Sequence, residues 1–386
     1  MASYRRPLFL RRTLLCTAAG LGVAGLLRGV PGRAQAQSQT QADTQPARPK
    51  VDATFIFAAD VHACLVTAAA LSPNCEAEGK TDANLVRHVR ALNALEKKDW
   101  PHTIDGVPTG LASGGEPIGR PLGVVMGGDM TDDGGGQLKL PGEGWQLQQF
   151  ANRYRQGSAP GQLRFPVYAG LGNHDLDQDG VPPHVDFYRR EMRDYVEMNH
   201  RTSVFYKPPV PVTNFHVASD NYSWDWGGLH LVQLQRFGGD QTKNAISGLA
   251  WLKDDLATYA ADGRPIVLFQ HYGWDPFSLE KWDPEAHTFD DHGAGAAHWW
   301  SEDDRKALLA TIAGYNVVAI FHGHEHPTPM IYRAEGLDLV KPVASYMGGF
   351  AVARVRDHLF EVALGRAYGD RGDVVFTHAF SKPLTG

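Results

Sequence analysis

Five short blocks in this chain carry side chains able to bind metal ions. They are Asp60-Val61-His62, Gly128-Asp129, Gly172-Asn173-His174-Asp175, the isolated His271, and Gly323-His324-Glu325-His326. Imidazole and carboxylate together suit borderline transition metals. In an extended segment, residues two apart face the same way. Asp60 and His62 are therefore expected to face one metal site, and His324 and His326 can likewise both face inward. A carboxylate has two oxygens, so Asp129 could bridge two ions. The neighbouring glycines remove side chains where the backbone must turn tightly.

Residues spread from 60 to 326 can meet only if the elements before them end at one place. Apolar runs at 53–59, 123–126, 166–169, 266–269 and 317–321 read as strands, each ending at one block. In open α/β sheets, sites form just beyond the carboxyl ends of strands. Leu85, Val89, Leu92 and Leu95 have helical spacing, as do Leu249, Leu252 and Leu256. Ser301 with Asp304 forms a capping box for a helix running to Ile312. Runs at 222–226, 229–234 and 350–364 read as antiparallel ribbons, the last turning at Arg356-Asp357-His358. This alternation gives an α/β fold with mixed sheets. The loop 131–145 is glycine-rich. The insert 274–300 is long and rich in His and Trp, a length that points to function. His216, Tyr272, Trp274, His292 and Trp299 are candidates for lining a substrate pocket.

In this order, the five blocks resemble the calcineurin-like metallophosphoesterase superfamily, whose pattern is D-x-H, G-D, G-N-H-D/E, H and G-H-x-H. The resemblance covers nearly all of the chain after its first 50 residues. It implies two mixed sheets packed face to face with helices outside, a four-layer α/β/β/α fold. It implies two divalent or transition metal ions (Mn, Fe or Zn), the first held by Asp60, His62 and His326 and the second by Asn173, His271 and His324. Asp129 would bridge them. His174 would assist the leaving alkoxide, with Asp175 orienting its ring. The implied activity is hydrolysis of phosphate esters by a metal-bound hydroxide, with a small phosphomonoester as the first reading. A phosphodiester, such as a cyclic nucleotide or phospholipid head group, is the second. A non-catalytic exported protein that binds metal or phosphate is a third, of another class. Purple acid phosphatases carry a tyrosine where this chain has Asp132, and they lack the histidine found here as His62, so that branch is disfavoured. His322 is read as structural, Glu325 as solvated, and Asp132 and Asp133 as loop or outer groups.

The first 36 residues differ from the rest. They hold six arginines and no acidic residue, with an apolar run from Leu14 to Leu27 and Ala34-Gln35-Ala36 at their end. This is the layout of a secretory signal, and Arg11-Arg12 before Thr13-Leu14-Leu15 resembles a twin-arginine signal. The expected organisation is a signal at 1–36, a disordered lead-in at 37–50 and one catalytic domain at 51–386. The expected location is periplasmic or secreted, with no stable membrane anchor. Formal charge is −6 for the whole chain and −12 once the six leader arginines are set aside. Such a surface repels phosphate backbones, so no nucleic acid is expected as partner. Cys64 and Cys75, the two cysteines beyond the leader, are expected to form a disulfide in an oxidising compartment.

Overall fold

Two mixed sheets carry the five blocks. The computed structural model describes residues 50–65, 70–71, 73–134, 145–176, 185–242, 245–274, 282–283, 288–289 and 301–384. The leader, all but the last residue of the lead-in, residues 135–144 of the glycine-rich loop, and His292 and Trp299 lie outside the described residues. Among the described residues, no helix is long and apolar enough to cross a membrane.

In chain order the elements begin with β1 (Asp52–Ala58), α1 (Pro73–Ala77), α2 (Asp82–Ala94), the small hairpin β2 (Thr103–Ile104) and β3 (Val107–Pro108), β4 (Val124–Met126), α3 (Trp145–Tyr154), β5 (Val167–Tyr168), α4 (Asn173–Leu176) and α5 (Val185–His200). Next come β6 (Asn214–Phe215), β7 (Tyr222–Trp226), β8 (Leu229–Gln233), α6 (Leu249–Tyr259), β9 (Ile266–Phe269), β10 (Trp282–Asp283), β11 (Thr288–Phe289) and α7 (Glu302–Ile312). The chain closes with β12 (Val317–Phe321), β13 (Met330–Ala334), β14 (Leu337–Lys341), β15 (Gly349–Arg356), β16 (Leu359–Tyr368) and β17 (Asp373–Pro383).

One sheet has the order β17-β16-β15-β1-β4-β5 and the other β13-β14-β12-β9-β8-β7-β6. In the first, β1, β4 and β5 are parallel while β15 to β17 add an antiparallel meander. In the second, β8, β9, β12 and β14 are parallel. The central strands IVLF and VVAIF are apolar throughout because both faces are covered. Phe269 and Phe321 point to the other sheet, where Phe55 meets them at ring distances of 5.7 and 5.5 Å and Phe57 at 5.9 and 5.3 Å. Each such ring, fully buried, contributes about 1.5–3 kcal/mol. Leu268 and Ile320 point the opposite way, into a second core with Leu252 and Leu256 of α6 and Leu308 and Ile312 of α7. Helix α2 covers the outer face of the first sheet through Leu85, Val89 and Leu92, capped by Thr81, whose hydroxyl accepts the Asn84 amide. The result is the four-layer α/β/β/α sandwich. Ser301 and Asp304 form the expected reciprocal capping box.

Helices α3 and α5, the β13–β14 hairpin and the edge strand β17 were not evident from the sequence. Cys64 and Cys75 are joined as a disulfide, with Cα atoms 6.3 Å apart, tying the segment after β1 to α1.

One buried histidine links β8 to α6. His230 Nδ1 lies 2.7 Å from Asp225 Oδ1, and Nε2 lies 2.9 Å from Asp255 Oδ2. Asp255 also accepts from Ser223 Oγ at 2.6 Å and Asn214 Nδ2 at 2.7 Å. Burial disfavours a charged ring here, but hydrogen bonds and charge from the two carboxylates outweigh it and raise the His230 pKa above its usual 6.5. A group whose pKa rises on folding stabilises fully below its unfolded pKa and loses that contribution as pH climbs through the folded value. His230→Gln is therefore expected to destabilise by about 3 kcal/mol at pH 6. The gap from wild type, measured by denaturant unfolding, should narrow as pH is raised towards 9.

Candidate metal centre

Each block begins where a parallel strand stops. Asp60 and His62 follow β1, Asp129 follows β4, and Asn173 opens α4 after β5. His271 follows β9, and His324 and His326 follow β12. The ends are stitched together by main-chain bonds. The amides of Asp60 and His62 donate to the carbonyls of Gly128 and Asp129, each at 3.0 Å, and the Gly323 amide donates to the His271 carbonyl at 3.1 Å. Two glycines are required by closeness alone. A Cβ on Gly172 would stand 2.2 Å from Asp129 Oδ1, and one on Gly323 would stand 2.5 Å from Asp60 Oδ2.

The sequence argument for a shared face at Asp60 and His62 is corrected. These residues are not extended: φ is 58° at Asp60 and 46° at His62. Asp129 and His324 are also left-handed, at 51° and 76°. The strands have already ended, and the bonds to Gly128 and Asp129 impose the turn that brings the side chains together.

The side chains converge in two groups. Ligand atoms of Asp60, His62, Asp129 and His326 lie within 4.8 Å of one another, and so do those of Asp129, His271 and His324. Asp129 belongs to both. His62 Nε2 lies 2.9 Å from His326 Nε2 and 3.6 Å from Asp129 Oδ2. His271 Nε2 lies 3.1 Å from Asp129 Oδ2 and 3.0 Å from Asn173 Oδ1, which brings Asn173 to the second group. Asp129 Oδ2 is buried and makes no hydrogen bond among the described residues; His271 is close but outside hydrogen-bonding geometry. Asp60 accepts the His324 amide through both oxygens, at 2.9 and 3.1 Å.

Burial sets the protonation of these groups. It lowers the His62 pKa to about 4 and that of His326 to about 2, so both rings are neutral with lone pairs to offer. Burial likewise pushes His324 well down. It raises Asp60 to about 7, against the pull of His271 and with the help of the nearby Asp129 charge. His271 runs the other way: burial opposes its charge, but Asp129 overrides this and raises it to about 9.

The outer nitrogens of the rings are anchored by groups that carry no motif. Asp132 Oδ1 accepts from His62 Nδ1 at 2.9 Å and from Lys80 Nζ at 2.8 Å, so it is an outer group, as its position suggested. The Tyr346 hydroxyl lies 3.1 Å from His326 Nδ1, and His271 Nδ1 donates to the Gly127 carbonyl at 2.8 Å. Tyr346 and Lys80 left no mark in the sequence, since neither adjoins a block.

Two further expectations are corrected. Asp175 does not orient the His174 ring. Its carboxylate accepts the amides of Met130, Thr131 and Gly172 and the Thr131 hydroxyl, at 2.9–3.1 Å, because α4 turns it back against the chain. The ring of His174 is instead held by the Asp132 carbonyl, 2.7 Å from Nδ1. Glu325 is not solvated: it is half-buried and pairs with Lys341 at 3.4 Å. His322 lies 2.8 Å from the Tyr332 hydroxyl through Nε2, in a structural contact. Of the pocket candidates, Tyr272 is buried with its ring 4.6 Å from that of His324. Trp274 is also buried, its amide donating to the Tyr332 hydroxyl at 3.0 Å. His216 is outside the cluster; its Nδ1 lies 2.7 Å from Ser219 Oγ and its ring stacks on Trp251.

Residues 53–328, which contain all five blocks, match the family model of calcineurin-like phosphoesterases. No functionally curated protein matches the chain. Among solved structures, the chain is similar to a dimetal phosphatase from Danio rerio, at 12% identity and a TM-score of 0.49, over 86% of this chain and 99% of that one. It is similar to PhoD at 11% identity and a TM-score of 0.47, over 86% and 70% of the two chains. Vacuolar protein sorting 29 from Cryptosporidium parvum follows at 9% identity and a TM-score of 0.31, over 86% and 100%. The sequence match carries the assignment, and this chain belongs to the calcineurin-like phosphoesterase family.

Proposed function

We propose that this protein hydrolyses phosphomonoesters with two divalent metal ions, one held by Asp60, His62 and His326, the other by Asn173, His271 and His324, with Asp129 shared. The observation that carries this reading is Asp129. It is the one residue common to both ligand groups, and its inner oxygen is buried without a hydrogen bond. Against burial, Asp129 raises the His271 pKa to about 9, so a protonated ring 3.1 Å away balances this charge; with that ring neutral and ligating, a metal cation would take its place. The mixed nitrogen and oxygen donors fit manganese, iron or zinc. When bound, such an ion pair supplies Lewis acidity and makes water a nucleophile near neutral pH.

The chain's own groups do the rest. The His174 amide donates to Asp129 Oδ1 at 2.9 Å, which locks the start of α4 onto the shared carboxylate. The Asp132 carbonyl can only accept, so it fixes the His174 proton on Nδ1. Burial opposes a charged His174 ring, but Asp129 and the Asp132 carbonyl raise its pKa above the usual 6.5, so the doubly protonated ring carries a second proton on Nε2, which passes to the leaving alkoxide and leaves the ring neutral. Tyr346, Asp132 and the Gly127 carbonyl hold the outer nitrogens of the ligand rings and so fix which way their inner nitrogens point. A dianionic monoester head gains more than a monoanionic diester from two cations at one point, which favours the monoester. The twin-arginine leader read in the sequence and the Cys64–Cys75 bridge support an address outside the cytoplasm.

Asp129→Asn is expected to lose both ions and reduce turnover by a factor on the order of a thousand or more, read by metal analysis and a p-nitrophenyl phosphate assay. His174→Ala should keep both ions while turnover falls about a hundredfold or more; metal loss in that variant would remove the proposed proton role. Tyr346→Phe is expected to weaken metal retention about tenfold with the fold intact, as measured by dialysis against a graded chelator. Wild-type enzyme should cleave p-nitrophenyl phosphate faster than bis-p-nitrophenyl phosphate. The reverse order would move the assignment to diesters, and bound metal with no turnover of either would leave only a binding role.

A further inference from the structure

Among the described residues, eight that are not glycine sit at positive φ, and they fall into three groups. Asp105 and Glu335 each precede a glycine in a two-residue hairpin turn, where that conformation is required. Asp60, His62, Asp129 and His324 belong to the metal clusters. The last two are Asp220, at 58°, and Gln235, at 57°. They are bonded to each other, the Gln235 side-chain amide donating to the Asp220 carbonyl, and both line one cavity of about 560 Å³. Strain of this kind persists only where the surroundings enforce it, and it gathers at functional sites.

The cavity shares a wall with the metal centre. Gln235 Oε1 accepts the Leu171 amide at 2.8 Å, and the Gln235 carbonyl accepts the His271 amide at 2.8 Å. Leu176, the last residue of the helix that carries Asn173 and His174, lines the cavity as well.

We propose that this cavity is the subsite for the alcohol half of the substrate, and that the alcohol is uncharged and polyhydroxylated, a sugar or polyol. The inference rests on the phosphomonoester reading above. Its basis is the state of the charges on the cavity wall. Arg193 is bound to the Asp220 carboxylate and donates to the carbonyls of Val217 and Ala218. Arg236 Nε donates to Asp240 at 2.6 Å, and Arg190 lies 3.7 Å from Asp194. Glu197, also on the wall, is bound to Arg201. Arg193 and Arg236 each already have a carboxylate, and Arg190 forms a solvent-exposed pair with Asp194, so a second anionic group on the substrate would find no buried cation to itself. Paired carboxylates keep lone pairs for hydroxyls, and guanidinium groups keep N–H donors. Ile246 and Val217 supply exposed apolar surface for the C–H face of a ring.

The test uses the full metal-loaded protein and two probes, glucose 6-phosphate and phenyl phosphate. Ile246 and Val217 line the cavity and are 56% and 44% exposed, so Ile246→Trp and Val217→Trp add bulk without disturbing the core. In either variant the ratio of kcat/KM for glucose 6-phosphate to that for phenyl phosphate is expected to fall about tenfold, through KM. An unchanged ratio in both variants overturns the subsite. Calorimetric binding separates this inference from the reading beneath it. Wild type should bind glucose 6-phosphate about tenfold more tightly than inorganic phosphate, and Ile246→Trp should erase the difference. That binding pattern without turnover of any monoester would remove the phosphomonoester reading alone. Equal binding of the two probes by wild type would overturn the subsite whatever the turnover.

Discussion

A carboxylate buried from solvent sits at the junction of two sheets, and much of the site's geometry is arranged for its sake. Asp129 hangs from the end of β4 in a left-handed turn. Gly172 is pressed against one of its oxygens, and the imidazoles of His62 and His271 lie 3.6 and 3.1 Å from the other. Two buried carboxylates, Asp60 and Asp129, share this space, and like charges so placed cannot both remain ionised without positive charge between them. The opposite displacements of Asp60 and His271 from their usual proton affinities express that constraint. A pair of cations would resolve it while using every donor already present.

The surrounding architecture serves to hold these donors at fixed positions. Asp175 spends its carboxylate on main-chain amides, binding the turn at Met130-Thr131 to Gly172. Asp132 serves two rings, one through its side chain and one through its carbonyl. Such groups shape the site without facing it. Each ring nitrogen they occupy leaves the opposite nitrogen with only one direction to point.

The parts legible in the sequence were those whose chemistry is local. Asp, His and Gly in short blocks at the ends of apolar runs gave the strands and the candidate ligands, Asp129 among them. The strands IVLF and VVAIF, buried on both faces, could be read from composition alone. The spacing argument for Asp60 and His62 reached a correct grouping from a wrong conformation, because a left-handed turn leaves no trace in residue type when aspartate and histidine adopt it. Tyr346 and Lys80 were invisible because their contacts join distant segments. The Asp132 carbonyl was invisible because any residue has one. Helix α5 was obscured by its charges: in its described part the fully buried residues are Met192, Val196 and His200, amid Arg190, Arg193, Asp194 and Glu197. Strand β17, paired on one side only, has too weak an alternation to stand out.

The candidate ligands divide between the layers: Asp60, His62, Asp129 and Asn173 come from one sheet, and His271, His324 and His326 from the other. The packed rings of Phe55, Phe57, Phe269 and Phe321 are thus the spacers of the site as well as the filling of the core. Any change that lets the sheets slide or draw together shifts half of the donors relative to the other half. In a lineage of such proteins, wear in the greasy interior would be felt as loss of chemical fidelity well before it was felt as loss of shape.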